Sequence, residues 1–371
     1  MIADYNLLFL LNFIWSKMYF PHRNKVHFRK ADHSFSFIMK ARKVNTRPKQ
    51  GGFHFMIIKL GIIGFGGMGK WHAQNAPRAG VEIAAVCDIA EEKQKEAIEM
   101  GYRLYTNADE LLADPEVNTV ILTVPNYLHK EMCIKAAKAG KNVITEKPAA
   151  MSVQELDEME AACKEAGVFF TSHQNRRWDK DMLTVKKAYD EGLLGNIFTI
   201  ESKLHSGNGY MHEWHLYKKY GGGMIYDWGV HLIDQILFMM PDAKIKSVYA
   251  DIKNVLHEEV DDYFKIILKM DNGVTAHIEL STYILKYQPR WLAAGDKGTM
   301  IVEDFGCNGS IYRTGKLLEK LPPQITETEA GPTRQFRTCS TRRHRNRAAS
   351  RDSDRLGRFL PECFGCAEWK S

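Results

Sequence analysis

Several things are scarce in this 371-residue chain, and each scarcity narrows what it can be. Long apolar runs are missing: Leu7–Leu11 followed by Phe13–Trp15 falls short of the ~20 residues that a bilayer-spanning helix needs. Asp4 precedes that run, and neither a basic leader nor a small-residue cleavage site accompanies it, so it does not read as a secretory signal. Cysteine is sparse and scattered. Cys87, Cys133, Cys163 and Cys307 have no paired spacing, which excludes a disulfide framework and points to a reducing compartment, taken as the cytoplasm. Cys339 stands alone, and Cys363 and Cys366 make a CxxC without a second ligand pair. With no HExxH either, no metal site is expected. Positive charge is missing from the middle of the chain: the formal +6 resolves into +8 over residues 1–55, +6 over 334–371 and −8 between them. An acidic core excludes a surface for phosphate backbones, so neither nucleic acid nor a membrane is an expected partner.

The two ends differ in character from what lies between. Residues 1–55 show no periodicity and read either as a disordered basic extension or as upstream DNA translated in frame. The second is preferred, because Lys49-Gln50-Gly51-Gly52 can be encoded with a ribosome-binding sequence ahead of Met56. The Arg-rich stretch 337–371 also lacks a helix or strand pattern. A one-nucleotide change of frame re-reads it with an amphipathic helix, so it is expected to be a frameshifted, disordered tail. A chain carrying both ends is expected to be less stable and less active than a frame-corrected one starting at Met56.

Between the ends, 44% apolar and 26% charged residues are ordinary globular values. Over 56–175 the pattern alternates: strands near 59–64, 81–87, 119–124, 142–145 and 168–172, with helices near 71–76, 91–100, 108–113, 127–139 and 152–166. Such alternation predicts an α/β fold with a Rossmann doubly wound parallel sheet. Over 176–336 it gives way to helices near 179–191 and 223–239, a strand at 197–205, and then strands near 245–254, 261–270, 273–281, 289–295 and 299–303. Turn signals such as Asp271-Asn272-Gly273 separate these, predicting an α+β domain with a largely antiparallel open sheet.

Gly64-Phe65-Gly66-Gly67-Met68-Gly69 fits GxGxxG between a strand and a helix, and Asp88 ends the next strand 19 residues beyond Gly69. In that context the glycines serve a tight turn, approach to a pyrophosphate and helix–strand packing, while the helix N-terminus faces the phosphates. Asp88 can accept from the adenosine ribose hydroxyls and would repel a 2′-phosphate, which favours NAD over NADP.

Strand ends in such a sheet carry Thr123-Val124-Pro125-Asn126 and Glu146-Lys147-Pro148. A lysine wedged between a strand and a proline reads either as held rigidly and pointing into the crevice or as a solvated strand-end residue. In the second domain, Gly221-Gly222-Gly223 precede a helix bearing Asp227 and His231 on one face, with Asp234 three residues on. GFGGMG, TVPNYLH, TEKPAA, HQNRRWD, GGGMIYDWGVHLID and PRWLAAGDKGT, in this order over about residues 57–333, resemble the signatures of the glucose–fructose oxidoreductase, inositol dehydrogenase and MocA family. The resemblance implies a catalytic set of Lys147, Asp227 and His231, often with a cis bond before Pro148. It implies contacts of Asn126 and Glu146 with the nicotinamide ribose, and adds Thr123, Pro125, His129 and Lys147 to the cofactor residues. It also implies a dimer or tetramer.

On this reading His231 takes a hydroxyl proton, Asp227 orients the imidazole or hydrogen-bonds a neighbouring hydroxyl, and Lys147 steadies negative charge on oxygen. Asn175, Arg176, Tyr210, Trp214 and His215 form the expected substrate wall, suited to a polyhydroxylated ring, with core or interface packing the alternative for Tyr210 and Trp214. The expected activity is NAD-dependent oxidation of a sugar or cyclic polyol. An NAD-dependent glycosidase with transient ring oxidation, and a non-catalytic regulator of the same fold, are the alternatives.

Overall fold

The structure is a computed structural model that describes residues 57–313, 325–334 and 354–355. The expectations for 1–55, for the Cys363–Cys366 pair and for most of 337–371 lie outside the described residues. In the first part, β1 (Lys59–Ile63), β2 (Glu82–Cys87), β3 (Leu104–Tyr105), β4 (Thr119–Leu122), β5 (Asn142–Thr145) and β6 (Phe170–Ser172) form one parallel sheet, in the order β3-β2-β1-β4-β5-β6. Helices α1 (Gly67–Asn75), α2 (Glu91–Glu99), α3 (Ala108–Ala113), α4 (His129–Lys138) and α5 (Val153–Glu165) connect the strands. Because helices cover both faces, the central strands are apolar throughout rather than alternating. Val120 and Leu122 of β4 pack into one core and Ile121 into the other. Ser152 caps α5 by accepting from the Glu155 amide, while the Glu155 carboxylate reaches back to the Met151 amide. Strand order reverses between β1 and β4, which opens a crevice at their C-terminal ends. Gly64, Thr123 and Glu146 all follow strands into that crevice.

The second part is an eight-stranded sheet. Its strands are β7 (Ile197–His205), β8 (Ile245–Lys253), β9 (Tyr263–Met270), β10 (Thr275–Ser281), β11 (Trp291–Gly295), β12 (Gly298–Val302), β13 (Gly309–Arg313) and β16 (Asp354–Arg355). They run β16-β13-β12-β11-β7-β10-β9-β8, antiparallel except for the β7–β10 pair. A separate hairpin joins β14 (Ile325–Thr328) and β15 (Gly331–Arg334). Helices α6 (Lys180–Asp190) and α7 (Val230–Met239) cover one face, where Phe264, Ile266, Leu268 and Trp291 meet Leu232, Ile233 and Ile236. Among the described residues no helix is long and apolar enough to cross a membrane.

Three features depart from the sequence reading. The edge strand β3 and the strand β13 are too short or too mixed to stand out as patterns. The helix expected over 223–239 forms, but its first part, Ile225–Gly229, is wound as a π-helical turn ahead of α7. Asp261 caps its start, its carboxylate accepting from the Ile225 amide at 2.8 Å and its carbonyl from the Met224 amide at 2.9 Å. Finally, Cys133 of α4 and Cys163 of α5 have no telling spacing, yet their sulfurs lie 3.7 Å apart as buried free thiols.

Candidate active site

The loop after β1 is built from two glycines that are packed and two that are open. Gly64 has φ +97, and a Cβ there would sit 2.6 Å from the Thr123 carbonyl oxygen. A Cβ on Gly69 would lie 2.0 Å from the Gly64 carbonyl oxygen. At Gly66 and Gly67 a Cβ would meet nothing within 4 Å, which leaves the room that a pyrophosphate needs beside the start of α1. Thr123 locks the turn from the side, its hydroxyl donating to the Gly64 carbonyl at 2.5 Å. The Asp88 carboxylate accepts from the Phe65 amide at 2.6 Å and the Ala90 amide at 2.9 Å, so it stands at the end of β2 beside this loop. These residues fit a dinucleotide. Gly69→Ala is expected to displace the loop, weakening NADH binding at least about tenfold and costing about 1–3 kcal/mol of stability. Fluorescence titration and thermal melts would measure the two effects.

The chemistry-bearing groups come from both parts of the chain. Lys147 follows β5, precedes a cis bond to Pro148, and extends its ammonium to Asp227 Oδ1 at 2.5 Å and to the Asp227 carbonyl at 3.0 Å. Burial favours the neutral form of the Asp227 carboxyl, but the Lys147 charge outweighs it and holds the group below its ordinary range. His231 lies at the start of α7, and its Nδ1 is buried without a hydrogen-bond partner. Burial, then the charges of Lys147 and Arg176, push its imidazole well below the ordinary 6.5. It is therefore neutral near pH 7, with a lone pair available for a proton.

Of the expected substrate wall, His215 comes nearest the centre, with Nε2 3.7 Å from Asp227 Oδ1 and its ring stacked on Trp214 at 3.7 Å. A Cβ on Gly222 would lie 2.2 Å from the His215 carbonyl oxygen, so glycine there lets this loop close onto the Asp227 turn. Tyr210 stands farther along the same loop, exposed, edge-on to His212. Asn175 opens the 3-10 turn Asn175–Trp178, and Arg176 lies over the Trp228 ring at 4.4 Å, beside His231.

The other expected cofactor residues are placed as follows. His129 is fully buried, its two ring nitrogens 2.8 and 3.0 Å from the Pro148 and Val124 carbonyls, which makes it a brace between those two loops. Phe65 turns its ring into the core against Tyr102, leaving only its backbone in the loop. Met68 is exposed at the start of α1, and Pro125 leads into the short turn Asn126–Leu128. Asn126 is buried and donates to the Gly221 carbonyl at 3.0 Å, joining the two parts of the chain. Asp234 does not serve His231: Arg177 takes its two oxygens at 2.6 and 2.7 Å.

The histidine partners of Glu146 escaped the sequence reading. The buried Glu146 Oε1 sits 2.7 Å from His72 Nε2 and 3.0 Å from His173 Nδ1, and these are the atoms among the described residues best placed to hold a metal. Here hydrogen bonds occupy them, because a carboxylate oxygen can only accept. Separations of 74 and 27 residues carry no local signal.

Comparison with known proteins agrees with this geometry. Residues 58–174 match the oxidoreductase family with an NAD-binding Rossmann fold, and residues 182–301 match the C-terminal domain of the same family. An uncharacterized oxidoreductase of Schizosaccharomyces pombe is 38% identical over 44% of this chain and 46% of its own length. The scyllo-inositol 2-dehydrogenase (NADP(+)) of Bacillus subtilis is 34% identical over 57% of this chain and 59% of its own. The chain thus spans about half the length of these two relatives. A solved NAD-binding protein from Listeria innocua, 38% identical, superposes with a TM-score of 0.69 over 75% of this chain and 80% of that one. The chain belongs to the glucose–fructose oxidoreductase, inositol dehydrogenase and MocA family of oxidoreductases.

Proposed function

We propose that this protein oxidises a secondary alcohol of a sugar or cyclic polyol, with NAD preferred to NADP. The observation that carries this reading is the meeting of Lys147 with Asp227 at 2.5 Å across the two parts of the chain, beside a neutral, buried His231. Bound NAD would supply the hydride acceptor. His231 takes the hydroxyl proton, Lys147 steadies the developing alkoxide, and Asp227 holds Lys147 and a neighbouring hydroxyl in place. Trp214, His215, Tyr210, Asn175 and Arg176 offer an aromatic surface with hydrogen-bonding edges, which suits the C–H faces and hydroxyls of a ring. Screening polyols and sugars for NADH formation tests the reading; a protein that binds NADH but oxidises none of them would favour a non-catalytic regulator.

Asp88 supports NAD, since a carboxylate at the end of β2 repels a 2′-phosphate. Asp88→Ser is expected to shift the ratio of kcat/KM values toward NADP by about tenfold or more, the worth of a hydrogen bond to a charged group. The sheet face turned away from the helices pairs Tyr249 with Ile267 and Leu292 with Ile301, with His277 and Glu201 between the two pairs, a mixed apolar and polar face of the kind a homo-oligomeric dimer or tetramer would use. The four cysteines among the described residues are free thiols, which suits the cytoplasm.

A further inference from the structure

We infer that His72 and His173 are positioning residues: their imidazoles fix the Glu146 carboxylate in one orientation, and through it tie the phosphate-loop helix to the Lys147 end of the site. The inference rests on the proposed function and on the contact between Glu146 and the nicotinamide ribose that the family resemblance implies. Three separate elements converge here, His72 from α1, Glu146 from the end of β5 and His173 from the end of β6. A single oxygen, Oε1, faces His72 Nε2 at 2.7 Å and His173 Nδ1 at 3.0 Å. Since that oxygen only accepts, each facing nitrogen carries a hydrogen, and the tautomers follow: Nε2–H at His72 and Nδ1–H at His173. Oε2 is left with the Lys147 amide at 3.3 Å, and is the oxygen with capacity to spare for a ribose hydroxyl.

The bridge also settles the charge. Burial alone would raise the Glu146 carboxyl, but hydrogen bonds from His173 and His72 hold it well below the ordinary range. The other titratable groups around it cannot replace these donors. His129 on α4 faces the Val124 and Pro148 carbonyls. Lys147 turns its ammonium to Asp227, and His231 on α7 feels Glu146 only through space. Without the two imidazoles, Glu146 would be a buried carboxylate with one weak backbone bond. It would take up a proton as the pH falls, and so lose acceptor strength toward the cofactor.

The test compares variants that keep a donor with variants that remove it. His72→Gln and His173→Asn place an amide N–H where Nε2 and Nδ1 stand; His72→Leu and His173→Leu place none. NADH affinity is measured on the full chain from about pH 5 to pH 8. The leucine variants are expected to bind about tenfold more weakly or worse at the acid end, where loss of hydrogen bonds to a charged group tells most. They should recover as pH rises and Glu146 ionises, with the change in Kd and KM rather than in kcat. The amide variants and the parent should bind alike, with no such slope. Leucine variants that bind like the amide variants at every pH would overturn the inference while leaving the cofactor reading intact. A parent that binds no NADH would overturn that reading and this inference with it. Should the leucine variants not fold, the imidazole nitrogen resonances of the parent decide. The tautomers named above support the bridge, and any other pair overturns it.

Discussion

Lys147→Ala is expected to lower kcat about 10²–10³-fold, the usual cost of removing one group that stabilises a developing oxyanion. NADH should still bind, because the open glycines and Asp88 lie apart from the ammonium. The same change should also show in the pH profile. Burial, Lys147 and Arg176 together hold His231 well below 6.5, so the parent's kcat/KM for alcohol oxidation should stay flat from neutrality down through pH 6.5. Removing one of the two cations lets the imidazole hold its proton more tightly, so the acid limb should move to higher pH. Steady-state kinetics across pH read both effects. Turnover like the parent's would remove Lys147 from the chemistry, and an unmoved acid limb would remove its electrostatic hold on His231.

Asp181→Ala is expected to be among the most destabilising single changes in the second domain. Asp181 is fully buried on α6, where Oδ2 accepts from the Trp291 indole at 2.7 Å and lies 3.2 Å from Arg290 Nε. Arg290 is itself 3% exposed and also donates to Ser202 at 2.6 Å and Gln235 at 3.0 Å. Removing the carboxylate strands a guanidinium in the core and an indole N–H beside it, at a cost of about 3–5 kcal/mol. For a domain of this size that is a fall of roughly 10 °C or more in Tm. Replacing both charges with apolar groups, Asp181→Leu with Arg290→Met, should recover much of the loss, since a well-packed apolar pair avoids the desolvation penalty. A double variant no more stable than Asp181→Ala would show that the pair is valued for more than charge balance. Gln235, another partner of Arg290, lies on α7 one turn beyond His231, so the same network bears on the site.

What could be read from the sequence was whatever repeats locally. Apolar runs in β1 and β4, helical spacing in α4 and α5, and the turn at Asp271-Asn272-Gly273 each declare themselves within a dozen residues. So did the glycines of the first loop, because backbone that must bend tightly or lie close to a phosphate tolerates no side chain there. Lys147, Asp227 and His231 were legible as candidates for a related reason: their motifs place a charged group where a strand or a glycine run ends.

Folding alone decided which of those groups meet. The chain could not say that Asp227 would pair with Lys147, or that Asp234 would go to Arg177 and leave His231 without it. Nor did it foretell that the helix bearing Asp227 and His231 would begin as a π-helical turn capped by Asp261. The Glu146 bridge and the Asp181–Arg290–Trp291 cluster are the plainest cases, because their members lie tens of residues apart and carry no shared period. A lone histidine or arginine in a sequence has no partner written beside it. Its partner is fixed only once burial removes water and each remaining polar group must be satisfied by whatever the packed elements bring within reach.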